Sequence, residues 1–329
     1  MTTLRRWARL ALRMQRWEVL ASVAGTAALL VAMLWLTRQL HLLADAHPRC
    51  LNPMVVPAGC EAYLTSFSDV AGWGYQALHA SWAAPFGMGL VLGVPLVARE
   101  IEHRTAAMAW TLSRSRIRWL ASRVVFVALL TAVLLCAVAI GSELLAAALA
   151  PNQQLASDFT WYGQRGPLIV VRGLAALGLG VAIGALIGRA LPGLLVAAFA
   201  SVLLFTAISL GMDRWNAAEA VAQPYGVSDP SALQLGQRVE LPDGQVVGDA
   251  YLASMDNILI DGDGSVYSRF DPETGLPDRS SLVGHYRELV LPGERYPQVV
   301  ARESAAVGAT ALLVLLAAAG IVRRRRPGG

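Results

Sequence analysis

The basic residues of this chain are all arginine, and the sequence contains no lysine. A P-loop needs a lysine to reach nucleotide phosphates, so the chain is not by itself a Walker-type ATPase. Two ionisable residues, Glu143 and Arg172, stand inside long apolar runs at similar depth. An unpaired charge at such a depth is costly, so the two form a candidate pair, either a gate element or a structural clamp. No His, Asp or Lys relay accompanies them, which disfavours proton coupling. Asp261-Gly262-Asp263-Gly264 has the look of a calcium loop but lacks the later glutamate of an EF-hand. It reads as a turn, as does Leu241-Pro242-Asp243-Gly244. Ser, His and Asp all occur between 213 and 302, yet no nucleophile motif frames them. No catalytic residue, metal site or cofactor is therefore expected.

The elements that must carry these residues are membrane spans. Of 329 residues, 55% are hydrophobic and 15% charged, and the mean hydropathy is +0.49. Soluble domains carry about 25% charged residues. The balance excludes a disordered, collagen-like or disulfide-dense chain and fits a polytopic membrane protein. Six apolar runs reach spanning length, at 19–37, 79–98, 122–148, 167–188, 191–212 and 304–322. The second is broken by Pro85 and Pro95, and the fourth is rich in glycine. The expected fold is all-α and polytopic, with an amphipathic N-terminal helix over 1–18. A small mixed α/β domain over 213–303 separates spans five and six. An outer loop covers 38–78, an inner loop 99–123, and a basic tail 323–329.

Arginine sets the orientation. Sixteen arginines and three acids lie on one side, in 1–18, 99–123, at Arg189 and after the sixth span. The other side holds eleven arginines and nineteen acids. The positive-inside rule then makes both termini cytoplasmic. A signal peptide is the rival reading of the first run, since Ala44-Asp45-Ala46 has a small-x-small pattern. An h-region of about 7–15 residues is shorter than this run. With 38–78 outside, Cys50 and Cys60 lie where thiols oxidise readily. Closing so short a loop stabilises by about 2–3 kcal/mol, and a disulfide is expected. Cys136, in the third span, reads as a small apolar filler.

Arg5, Arg6, Arg9, Arg13 and Arg16 fall on one arc of a helix through 4–17, with Trp7 on the other face. Such a helix lies in the interface against anionic lipid; the alternative is a plain positive-inside flank. Gly180, Gly184 and Gly188, with Gly173, provide a helix-packing face in the fourth span; the alternative is the general abundance of glycine in spans.

Residues 95–123, PLVAREIEHRTAAMAWTLSRSRIRWLASR, keep helical character where a short polar loop is expected. Tryptophan and arginine are common interface anchors. A docking element and a solvated loop both fit. Glu100 and Glu102 point about 160° apart on a helix, so they are expected to have different partners. One would meet a docked partner and the other the N-terminal arginine face.

This stretch resembles the loop after the second span of ABC type-2 transporter permeases, especially the actinobacterial kind. Those carry a pattern close to PLLAREFESGTHRLAWTQS, then a basic residue, Trp and Leu. Pro95, Leu96, Ala98, Arg99, Glu100, Glu102, Thr105, Ala109, Trp110, Thr111, Ser113, Trp119 and Leu120 match it, while His103-Arg104 and Leu112 depart. Tyr296-Pro297 and Glu303 before the last span also resemble the family. The resemblance implies a transmembrane subunit of an ATP-driven transporter, an exporter in a bacterial plasma membrane. Residues 1–18 would be its connecting helix. Residues 99–118 would be its coupling helix, with Arg99, Glu100, Glu102, Thr105 and Trp110 facing a separate ATP-binding subunit present in two copies. A second permease chain, the same or related, would complete it. Apolar spans suit hydrophobic or amphiphilic cargo. No nucleic acid partner is expected. The rival is a non-transporting sensor or anchor whose acidic outer domain binds a ligand or partner.

Overall fold

The computed structural model describes residues 15–50, 59–105, 115–224, 229–247, 259–260, 265–268 and 281–325. Arg5, Arg6, Trp7, Arg9 and Arg13 of the expected N-terminal helix lie outside the described residues, as do Trp110 and Asp261 to Gly264. The chain is mostly helical. Helices long and apolar enough to cross a membrane number six among the described residues. They are α1 (Arg16–Ala46), α2 (Glu61–Gly93) running on into α3 (Pro95–Glu102), α4 (Arg116–Leu149), α5 (Pro167–Ile187), α6 (Ala190–Glu219) and α7 (Tyr296–Arg324). This is a multi-pass membrane protein.

Several helices overrun the apolar runs. Most of the expected outer loop 38–78 is helix, since α1 reaches Ala46 and α2 begins at Glu61. Residues 61–78 are too polar to register as a span. Yet Tyr63, Phe67, Ala71, Gly74 and Leu78 recur at helical spacing and turn inward. Pro85 does not break α2. It removes one N–H from the ladder, which leaves the Ser81 carbonyl without that partner. Pro95 does interrupt, and as the first residue of α3 its missing N–H costs little.

Lipid removes most of the hydrophobic drive between helices, so close van der Waals fit must hold them. The α2–α5 seam provides it. A Cβ on Gly89 would lie 2.6 Å from the Gly173 carbonyl oxygen, and one on Gly93 2.6 Å from that of Leu177. On the facing helix, a Cβ on Gly180 would stand 3.1 Å from the Val94 nitrogen, and one on Gly184 2.5 Å from the Val94 oxygen. Gly188 has a different role: at φ 69 it is the left-handed cap that ends α5. Around the seam, Leu92, Val97, Trp119, Leu135, Val181 and Ala318 form one buried cluster. Met33, Leu40, Leu78 and Leu145 form a second, joining α1, α2 and α4. Cys50 and Cys60 are joined by a disulfide that ties a turn at Pro48–Cys50 to the start of α2. Cys136 is free and exposed on α4, so it does not fill the interior.

The chain divides into two compact units, one of residues 1–152, 161–208 and 300–329, the other of 153–160 and 209–299. The second holds a six-stranded antiparallel sheet: β1 (Val221–Pro224), β2 (Leu233–Glu240), β3 (Val246–Val247), β4 (Leu259–Ile260), β5 (Ser265–Tyr267) and β6 (Leu282–Leu291). The order is β3-β2-β6-β5-β4, and β1 also pairs with β6. Because β2 pairs along most of β6, β1 and β5 share its opposite edge. Of the mixed α/β domain expected over 213–303, the described elements between α6 and Pro292 are strands. Leu241 to Gln245 turn between β2 and β3, with Gly244 at φ 83.

Candidate functional site

Two groups of polar side chains are built into the helical unit. The first gathers around α3. Its Arg99 forms an ion pair with Glu18 in the first turn of α1. Glu100 is buried and bound to Arg123 of α4, whose guanidinium also lies 4.7 Å from the centre of the Trp119 ring. Exposed Glu102 accepts a hydrogen bond, 3.0 Å long, from the N–H of Ala190, the first residue of α6. A carboxylate there satisfies an orphan donor and meets the positive end of the helix dipole. The hydroxyl of exposed Thr105 donates to the Glu100 carbonyl at 3.3 Å.

The same end of the bundle is closed by Arg325, just past α7. Its guanidinium donates to the Ala185 carbonyl, and its own carbonyl accepts from Arg116 of α4 at 2.6 Å. Arg16, at the start of α1, is exposed and lies 5.1 Å from the Trp17 ring. Glu100 and Glu102 have different partners. Among the described residues neither meets an N-terminal arginine; the contact with the start of α1 is made with reversed polarity, by Arg99 to Glu18.

The second group lies where residues 161–166 fold against the helices. Trp161 at φ 55, Gly163 at φ 78 and Gly166 at φ 75 bend this segment tightly. Such a φ is uncommon for a bulky residue. Arg165 is among the largest fully buried side chains and pairs with Glu143 of α4 at 3.1 Å. Arg172 of α5 pairs with Glu303 of α7 through Nε at 3.1 Å and Nη2 at 2.5 Å, and donates to the Gly163 carbonyl at 2.9 Å. The Tyr162 hydroxyl donates to the other Glu303 oxygen. The Ser81 hydroxyl donates to the Gln164 carbonyl at 2.5 Å.

Glu143 and Arg172 thus do not pair with each other. Depth along a helix is readable from sequence, but azimuth is not. The two point to different neighbours, and each takes a partner that the apolar runs had excluded. Arg165 precedes the first helical residue of α5, and Glu303 falls just short of the sixth run. The glycines at 163 and 166 beside Pro167 were the available signal for an inward-folding segment. Each carboxylate in this group is held by an arginine, so the group acts as a latch between α4, α5, α7 and the 161–166 segment.

Between α1, α2 and α4 lies an apolar cleft of about 270 Å³, lined by Ser22, Gly25, Thr26, Gly87, Met88 and Val138 among others. Among the described residues no three or more His, Cys, Asp or Glu side chains gather as a metal site.

A family model described as ABC-2 membrane transporter related matches residues 21–213. No curated protein and no solved structure matches the chain.

Proposed function

The chain belongs to the ABC-2 membrane transporter related family, and from that premise we propose that it is the membrane-spanning subunit of an ATP-driven exporter. A separate ATP-binding subunit, in two copies, docks on α3 and the segment after it, residues 99–118. ATP is hydrolysed on that partner, since this chain has no lysine for a P-loop. A second permease, the same or a related chain, completes the assembly. The PLVARE…AWT match supports the actinobacterial kind. The arginine sorting supports both termini cytoplasmic, the 1–18 helix on anionic lipid and 213–303 as the outer domain, and the resemblance supports a bacterial plasma membrane.

One observation carries the coupling role. The three polar residues of α3 are tied to three different spanning helices: Arg99 to α1, Glu100 to α4 and Glu102 to α6. The glycine seam fixes the same segment to α5 at Val94. A partner that pushes α3 therefore pushes four helices together. The apolar cleft between α1, α2 and α4 supports hydrophobic or amphiphilic cargo.

A photo-crosslinking residue at exposed Thr105 tests the reading. In the assembled complex it should capture a chain that carries a P-loop, and ATP should change the yield. Crosslinks to lipid alone would overturn the docking role.

A further inference from the structure

Glu288 of β6 is a carboxylate on the wrong side of its strand. Along β6 the inward positions are Gly284, Tyr286, Glu288 and Val290, and Tyr286 belongs to a buried cluster with Val239 and Val266. Glu288 is only 9% exposed, and its Oε2 has no hydrogen-bond partner. A charged group taken from water without compensation is strongly unfavourable, so such a residue calls for an explanation.

The flanking strands surround it with amides. Gln223 of β1 and Gln237 of β2 stand in register with Glu288 on either side. Directly opposed residues in a sheet share a face, so the three form one row. Gln234 joins them through a β-bulge. Residues three apart on a regular strand face opposite ways. Here Gln234 pairs with Val290 and Gln237 with Glu288, because the register shifts between Gln234 and Gly236. The extra residue puts both glutamines on the Glu288 face, the re-aiming that bulges provide.

Gln234, Gly236, Gln237 and Glu288 line a cavity of about 130 Å³. A Cβ on Gly236 would meet nothing within 4 Å. The buried Oε1 of Gln223 has no partner, and Gln237 Oε1 accepts from the Tyr286 hydroxyl. Strand alternation puts Arg238 and Arg287 on the opposite face, where Arg287 binds Glu240 at 3.3 Å. The site is thus one buried carboxylate flanked by amide side chains, of which the Gln223 oxygen has no partner and the Gln237 oxygen keeps one lone pair beside the Tyr286 hydroxyl, with no cation supplied by β1, β2 or β6.

We propose that Glu288, Gln223 and Gln237 form a binding site for the primary ammonium group of a small amine. An ammonium has three N–H donors and no acceptor, which suits one carboxylate between two amide oxygens. Calcium takes six to eight oxygens and tight sites use several carboxylates, whereas this row has one. A cavity of about 130 Å³ has room for a small ammonium head group. Nothing here depends on the transport role, because the site lies wholly within the sheet unit.

Saturation-transfer NMR on the full chain in nanodiscs tests this, with ethylammonium as the probe. Transfer to ethylammonium should be strong, Glu288→Gln should weaken binding at least tenfold, and tetramethylammonium, which has no N–H donor, should not compete. Thermal unfolding of Glu288→Gln should be unchanged or raised, since a buried charge is removed. Equal binding by the wild type and Glu288→Gln would overturn the proposal. So would competition by tetramethylammonium, or binding of calcium in place of ethylammonium. If Glu288→Gln does not fold, Gln223→Ala and Gln237→Ala serve instead: weaker binding supports the site, and unchanged binding overturns it.

Discussion

Arg172 on α5 and Glu303 on α7 are 131 residues apart in sequence and meet through two hydrogen bonds inside the bundle. Tyr162 and the Gly163 carbonyl complete the shell. Breaking a buried pair from one side leaves the other charge stranded, which costs about 3–5 kcal/mol. Glu303→Ala should therefore lower the thermal unfolding temperature sharply in detergent. The Arg172→Ala/Glu303→Ala double variant should lose less than the sum of the singles. Strict additivity would mean that the two do not act together.

A side chain at Gly163 would be strained by the backbone and would press on the Arg172 guanidinium. The glycine sits at φ 78, and a Cβ would lie 2.9 Å from Arg172 Nη1. Gly163→Ala should destabilise by about 1–3 kcal/mol from the backbone strain alone. Gly211→Ala is the control, because a Cβ there meets nothing within 4 Å. Equal stability of the two variants would refute the tight wrap.

The α2–α5 seam makes a parallel claim. Gly184→Leu drives a side chain into the Val94 carbonyl, and overpacking of this kind costs about 1–3 kcal/mol or more. It should reduce folded yield and loosen α3, detectable as faster proteolysis near Arg104. Wild-type yield and proteolysis would show that the helices can part freely there.

The Cys50–Cys60 disulfide closes a loop of ten residues. Its removal by Cys50→Ser/Cys60→Ser should cost about 2–3 kcal/mol. Thermal unfolding with and without reductant measures this, and the double variant should be insensitive to reductant. A variant as stable as the oxidised wild type would remove the staple's role.

The spans were legible because aliphatic runs of that length have few other uses. Their ends were not, because residues 61–78 mix aromatic and polar side chains and bury only one stripe. The charges show the same division. Position along the chain placed Glu143 and Arg172 at similar depth. Only packing reveals that Arg165 folds inward to meet Glu143 and that Glu303 comes from a distant helix. Around α3 the helical offset of Glu100 and Glu102 indicated two partners. Which glutamate is interior follows from Arg123, which a one-dimensional reading treats as one basic residue among several.

That distinction gives the most direct test of the coupling role: stimulated ATP hydrolysis by the assembled transporter carrying Glu102→Arg or Glu100→Arg. Glu102 is exposed and accepts from the first N–H of α6, whereas Glu100 is interior and bound to Arg123. Glu102→Arg should leave a stable, inserted permease whose partner ATPase is no longer stimulated by transport. Glu100→Arg should mainly destabilise the permease itself. If both variants assemble and keep normal stimulated ATPase activity, α3 is a topogenic flank and the coupling account is wrong.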